Sequence, residues 1–140
     1  MSIKLIAIDI DGTLVDKEFK ITPEVKAAIT EAREQGVKIV LCTGRPFPGV
    51  KRYIKELDLD QDEDYVITYN GSLVLSTATN EVLVSHTLYY SEVGRINELA
   101  DKFNVHTHGI HNEAIYTANK DIIIFTTRES FITTMPIRYR

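Results

Sequence analysis

Lys4-Leu5-Ile6-Ala7-Ile8 is an almost wholly apolar run that stops at Asp9. A run without polar alternation predicts a strand buried on both faces, as in parallel sheets. Thr22-Pro23-Glu24 predicts a helix start, with Thr22 as N-cap, Pro23 in the first turn and an acid against the positive helix end. Val25, Ala28, Ile29 and Ala32 follow at i, i+3, i+4 and i+7 and make one apolar stripe. Gly36 stands where a left-handed residue closes such a helix. Val37-Lys38-Ile39-Val40-Leu41 then repeats the buried-strand pattern up to Cys42-Thr43-Gly44-Arg45. The stretch predicts a βαβ unit with a right-handed crossover.

Pro48 opens a shorter helix with Val50, Tyr53, Ile54 and Leu57 on one side, and the polar stretch Asp58 to Asp64 predicts a loop. Tyr65-Val66-Ile67-Thr68-Tyr69 predicts a third parallel strand, stopped by Asn70-Gly71. The pattern changes there. Leu73-Val74-Leu75 and Glu81-Val82-Leu83-Val84 flank Thr77-Ala78-Thr79-Asn80, which predicts a hairpin. Ser91 predicts the cap of a helix through Phe103, with Val93, Ile96, Leu99 and Ala100 inward. Short strands are expected near 105–108, 114–117 and 122–127. The fold class expected is therefore α/β over residues 1–79 and α+β over residues 80–140, with the division near Ser76 to Glu81.

Composition narrows the function classes. In 140 residues, 16 Lys+Arg stand against 20 Asp+Glu, a formal net charge of −4. Mild acidity without a basic block argues against nucleic-acid binding. No apolar run approaches the ~20 residues that span a bilayer, and no secretory leader is expected. The single cysteine, Cys42, cannot form an internal disulfide, so a reducing cytoplasm is the expected compartment.

The candidate chemistry lies at strand ends. Asp9-Ile10-Asp11-Gly12-Thr13-Leu14 begins where the first buried run stops, and in open parallel sheets ligands bind at the carboxyl ends of the strands. An Asp-x-Asp alone is more often a solvated turn, but the apolar strand before it and Gly-Thr after it reverse that balance. Two carboxylates this close repel unless a cation lies between them or one takes a proton; a hard oxygen-seeking cation such as Mg2+ is the natural solution. Thr43-Gly44-Arg45 ends the second strand at the same edge, offering a hydroxyl, backbone N–H groups and a guanidinium suited to anions. Asn70-Gly71 ends the third. Alone, each of these turns is ordinary; three at one sheet edge form a constellation.

These segments resemble the haloacid dehalogenase superfamily of phosphohydrolases. Asp9-Ile10-Asp11-Gly12-Thr13-Leu14 is similar to its first motif, and Ile39-Val40-Leu41-Cys42-Thr43-Gly44-Arg45-Pro46 to its second. Ile67-Thr68-Tyr69-Asn70-Gly71 and Ile115-Tyr116-Thr117-Ala118-Asn119 resemble the Cof-like branch, nearest its YidA-type sugar phosphatases. The resemblance implies a Rossmann-like parallel core, incomplete here, followed by the start of a substrate-closing cap. It implies an aspartyl-phosphate on Asp9 and acid/base work by Asp11 on a small phosphorylated metabolite. Mg2+ is then held by the Asp9 carboxylate and the Asp11 carbonyl, and phosphoryl oxygens by Thr43, Gly12 and Gly44, with Arg45, Asn70 and Gly71 as further substrate contacts.

The family also carries a lysine and a Gly-Asp-x-x-x-Asp segment after the cap. Neither motif occurs in these 140 residues, and Lys102 and Lys120 match nothing in it. The chain is therefore expected to be an N-terminal piece, weak in Mg2+ binding and in turnover. Its first strand is expected to keep a bare edge that invites pairing between copies as a homo-oligomer. The rival reading is a non-catalytic phosphate-binding or interaction protein derived from such a phosphatase. A signalling receiver domain needs its acceptor Asp after the third strand, where Tyr69-Asn70 stands. His106, His108 and His111 with Glu113 read as polar surface rather than a Zn2+ site. Cys42 reads as a small buried hydrophobe, and Tyr65, Tyr69, Tyr89, Tyr90 and Tyr116 as strand packing.

Overall fold

The buried-strand runs do pair as expected. β1 (Leu5–Ile8) lies parallel to β2 (Lys38–Cys42), and β2 parallel to β3 (Tyr65–Thr68). The computed structural model describes residues 3–111, 114–121 and 123–140. They divide into two compact units, Met1–His86 and Thr87–Arg140.

In the first unit the sheet runs β1-β2-β3-β4-β5, with β4 (Leu73–Ser76) and β5 (Val82–Ser85) added antiparallel as the predicted hairpin. β2 and β3 carry the core: Ile39, Leu41 and Val66 are buried. β1 departs from its expectation of burial on both faces. Among the described residues it has β2 on one side only, so Leu5 is 55% exposed while Ile6 and Ile8 are half-buried.

The crossover from β1 to β2 is α1 (Pro23–Glu34). The Thr22 hydroxyl accepts the Val25 N–H at 3.4 Å. Gly36, at φ +80, lets its own N–H reach the Arg33 carbonyl and that of Val37 reach Ala32, the left-handed cap the sequence predicts. Ile29 is the buried anchor of its apolar face, flanked by Val25 and Ala32. α2 (Lys51–Glu56) follows a tight turn at Phe47–Gly49, and Val50, Tyr53, Ile54 and Leu57 are buried as their spacing predicts. At the opposite end of the strands from Asp9, Arg33 donates to the carbonyls of Leu57 (3.1 Å) and Asp58 (2.7 Å) and to the buried carboxylate of Asp64 (3.2 Å). Asp64 also accepts the Gln61 N–H at 3.1 Å. This staple anchors the loop between α2 and β3.

The second unit holds α3 (Tyr90–Phe103), β6 (Gly109–His111), β7 (Ala114–Thr117), α4 (Ile124–Thr133) and β8 (Ile137–Tyr139). α3 starts earlier than Ser91: Glu92 accepts the Tyr89 N–H at 2.7 Å, so Tyr89 takes the N-cap position. Tyr89 and Tyr90 are exposed, not packed in a strand. The strand expected at 105–108 is absent, because the left-handed Asn104 ends α3 and the Val105 N–H is spent on Ala100; pairing begins at Gly109.

The strand expected over 122–127 is a correction. Ile122 lies outside the described residues, and the rest enters α4. β7 pairs antiparallel with β6 and parallel with β8, and a parallel neighbour requires a long crossover, usually helical. The β-branched run supplies that crossover, with Thr127 Oγ1 donating to the Ile123 and Ile124 carbonyls. No helix among the described residues is long and apolar enough to cross a membrane.

Candidate active site

Three parallel strands release three turns at one sheet edge. After β1 the chain makes a π-type turn, Ile10–Leu14, closed by Leu14 N–H to the Asp9 carbonyl (3.1 Å) and Val15 N–H to the Ile10 carbonyl (3.2 Å). Gly12 sits inside it at φ +80, a conformation that penalises any residue with a Cβ. Ile10 and Leu14 are buried and anchor the turn, while Asp9, Asp11 and Gly12 are exposed.

The second and third turns are stitched together by main-chain bonds. The Thr43 N–H reaches the Ile67 carbonyl (3.0 Å), the Asn70 N–H reaches Thr43 (3.1 Å), and the Tyr69 N–H reaches Arg45 (3.2 Å). Tyr69, Asn70 and Gly71 hold positive φ in succession. The Asn70 amide lies directly against Gly44, where a Cβ would stand 2.9 Å from Asn70 Oδ1. The Thr43 hydroxyl is buried and accepts the Arg45 N–H at 3.1 Å, which leaves its own proton to donate.

The two carboxylates have different surroundings. Asp11 is gripped bidentately by Arg45, Nε to Oδ2 at 2.7 Å and Nη2 to Oδ1 at 2.5 Å. The hydrogen bond from Arg45 to Asp11 holds the guanidinium pKa above its usual value. Asp9 lies beside the end of β2. Burial, and then the negative charge of Asp9, push the Cys42 thiol up.

Of the residues the sequence singles out, Asp11, Thr43, Arg45 and Asn70 are joined by hydrogen bonds, and Gly44 lies against the Asn70 side chain. The sequence missed the support beneath them. Arg45 Nη1 donates to the Gly49 carbonyl (3.3 Å), and the guanidinium lies 5.6 Å from the Phe19 ring centroid and 5.5 Å from that of Tyr53. The only available signal was an aromatic in each flanking segment, which is too common to single out. The histidines stand apart from this edge in sequence and unit. His108 Nδ1 meets Thr126 Oγ1 at 3.2 Å, and Glu113 lies outside the described residues.

A hard divalent cation asks for oxygen donors. Asp9 offers an exposed carboxylate and the 9–14 turn offers main-chain carbonyls, whereas the Asp11 carboxylate is paired with Arg45. Among the described residues, no group of three or more His, Cys, Asp or Glu side chains gathers to hold an ion. That donor set fits Mg2+, which keeps several waters and is commonly held by one or two carboxylates plus a substrate phosphate.

The sequence pattern of the haloacid dehalogenase-like hydrolases matches residues 6–138, and the chain belongs to that family. Its relatives include "Putative phosphatase YxeH" of Bacillus subtilis (strain 168), 46% identical over 137 residues, which are 98% of this chain and 51% of that protein. The 5-amino-6-(5-phospho-D-ribitylamino)uracil phosphatase YwtE of the same organism is 38% identical over 92 residues, 66% of this chain and 30% of that protein. A solved haloacid dehalogenase-like hydrolase from Bacteroides thetaiotaomicron superposes with a TM-score of 0.84 at 26% identity, covering 99% of this chain and 52% of that one. The chain thus spans about half the length of YxeH and of the solved hydrolase.

Proposed function

We propose that this chain carries the nucleophile-bearing part of a cytoplasmic phosphomonoesterase for small phosphorylated metabolites, sugar phosphates foremost. The carrying observation is the pair of carboxylates in unlike settings on one turn: Asp9 exposed at the end of β1, Asp11 fixed by a buried arginine. Unlike environments let two acids take two roles. An Asp9 oxygen attacks phosphorus and the bond to the leaving oxygen breaks, while Asp11, entering the step protonated beside Arg45, gives that proton to the departing alcohol. Water then attacks the aspartyl-phosphate, Asp11 takes its proton, and phosphate leaves with Asp9 restored. The Thr43 hydroxyl and the Gly12 and Gly44 amides hold phosphoryl oxygens, with Asn70 and Gly71 bordering the same pocket. Mg2+ would be held by the Asp9 carboxylate and the Asp11 main-chain carbonyl, and when bound it offsets phosphate charge.

The residues from about 80 onward belong in this reading to the cap that selects the substrate. The family's lysine and second acidic segment are not in this sequence, so turnover by these 140 residues alone is slow. The test is release of inorganic phosphate from a sugar-phosphate panel by the concentrated 140-residue chain, with and without Mg2+. Weak, Mg2+-dependent release that disappears in Asp9→Asn is expected. Release that survives Asp9→Asn removes Asp9 as nucleophile, and phosphate binding without any release favours the non-catalytic alternative. Robust turnover overturns the expectation of slowness.

A further inference from the structure

The Arg45 cation is already committed inside the protein. The residue is 5% exposed, whereas the Asp11 side chain it grips is 48% exposed. Nε and Nη2 hold the two Asp11 oxygens, Nη1 holds the Gly49 carbonyl, and the plane packs near Phe19 and Tyr53. Those aromatics are braced in turn: the Tyr53 hydroxyl donates to the Phe19 carbonyl at 3.3 Å, and Arg52 donates to both groups. The guanidinium therefore ties five segments together, namely the turn after β1, the loop carrying Phe19, the end of β2, the turn at Phe47–Gly49 and α2.

We propose that Arg45 is a positioning residue that holds the Asp11 carboxylate in place for the leaving group, and that it does not itself take the substrate's anion. The inference rests on the phosphatase reading above. A fork that fixes two oxygens in one plane sets direction as well as charge, which a lysine cannot reproduce. Misplacing a reacting group by about 1 Å costs on the order of 100-fold in rate.

The test compares the wild-type chain with Arg45→Lys, Arg45→Gln and Asp11→Asn, using para-nitrophenyl phosphate turnover with Mg2+ and inorganic phosphate as the binding probe. In Arg45→Gln, kcat is expected to fall about 100-fold. Arg45→Lys recovers part of it, while Kd for phosphate in both stays within about threefold of wild type. The Arg45 Nε–H proton resonance is expected to be sharp in the wild type and lost in Asp11→Asn, a readout that does not depend on turnover or on folding of the Arg45→Gln variant. A phosphate Kd weakened about tenfold with kcat preserved gives Arg45 to the anion and overturns the proposal. Unchanged kcat and Kd overturn it too, leaving a purely structural arginine. A resonance indifferent to Asp11→Asn removes the ion pair itself. A wild-type chain that neither binds phosphate nor turns over brings down the phosphatase reading and this proposal with it. The resonance then separates that failure from loss of the pair.

Discussion

Asp9 and Cys42 report on each other across the ends of β1 and β2. Burial and the Asp9 charge both disfavour the thiolate, so the Cys42 pKa stands above the ordinary thiol value. Loss of the carboxylate in Asp9→Asn removes one of those causes and lowers the pKa toward ordinary. The thiolate fraction at a fixed pH then rises, and alkylation by iodoacetamide at pH 8 is expected to speed up. An unchanged rate would mean that the Asp9 carboxylate does not face the end of β2. At this scale the candidate positions were legible: Asp9, Asp11, Thr43 and Asn70 stand out because polar residues end apolar runs. The partnership of Asp11 with Arg45 was not legible, because nothing in a spacing of 34 residues says that two side chains meet.

Among elements, the staple at the far end of the strands and the pair Lys38–Glu63 look alike in sequence but differ in burial. Asp64 is 6% exposed and holds Arg33 and the Gln61 N–H, while Lys38 and Glu63 are 49% and 74% exposed. Removing one partner of a buried pair strands the other, so Asp64→Ala is expected to cost about 2–3 kcal/mol, discounted for the partly exposed Arg33. Glu63→Ala is expected to cost under about 0.5 kcal/mol. Urea denaturation of the two variants checks the contrast, and equal losses would defeat it. Helix α1 was readable to its caps because Thr22, Pro23 and Gly36 act locally. α4 was not readable, because its sequence favours a strand and only the parallel pairing of β7 with β8 makes it a crossover.

For the whole molecule, the open side of β1 is the feature with consequences. Ile3 and Leu5 are 69% and 55% exposed, and β1 has no strand beyond it among the described residues. A groove beside it is rimmed by both Lys4 and Glu31, so two copies related by a twofold axis could set each lysine against the other's glutamate. Paired edges of this kind are expected to make the 140-residue chain self-associate at rising concentration. Sedimentation velocity should show a dimer that Leu5→Lys returns to monomer; a wild-type monomer throughout the range counts against it.

By itself the sequence determined the order of strands and helices in the first unit, the sheet edge that carries the polar turns, and the family. Those features follow from periodicity, caps and contiguous motifs, which act over a few residues. Tertiary structure alone decided that 124–133 is helical and that Asp11 is held by an arginine seated between α2 and the loop of Phe19. Each of these depends on which distant segments become neighbours, and pairing over long separations leaves no local pattern for a reader of the chain to find.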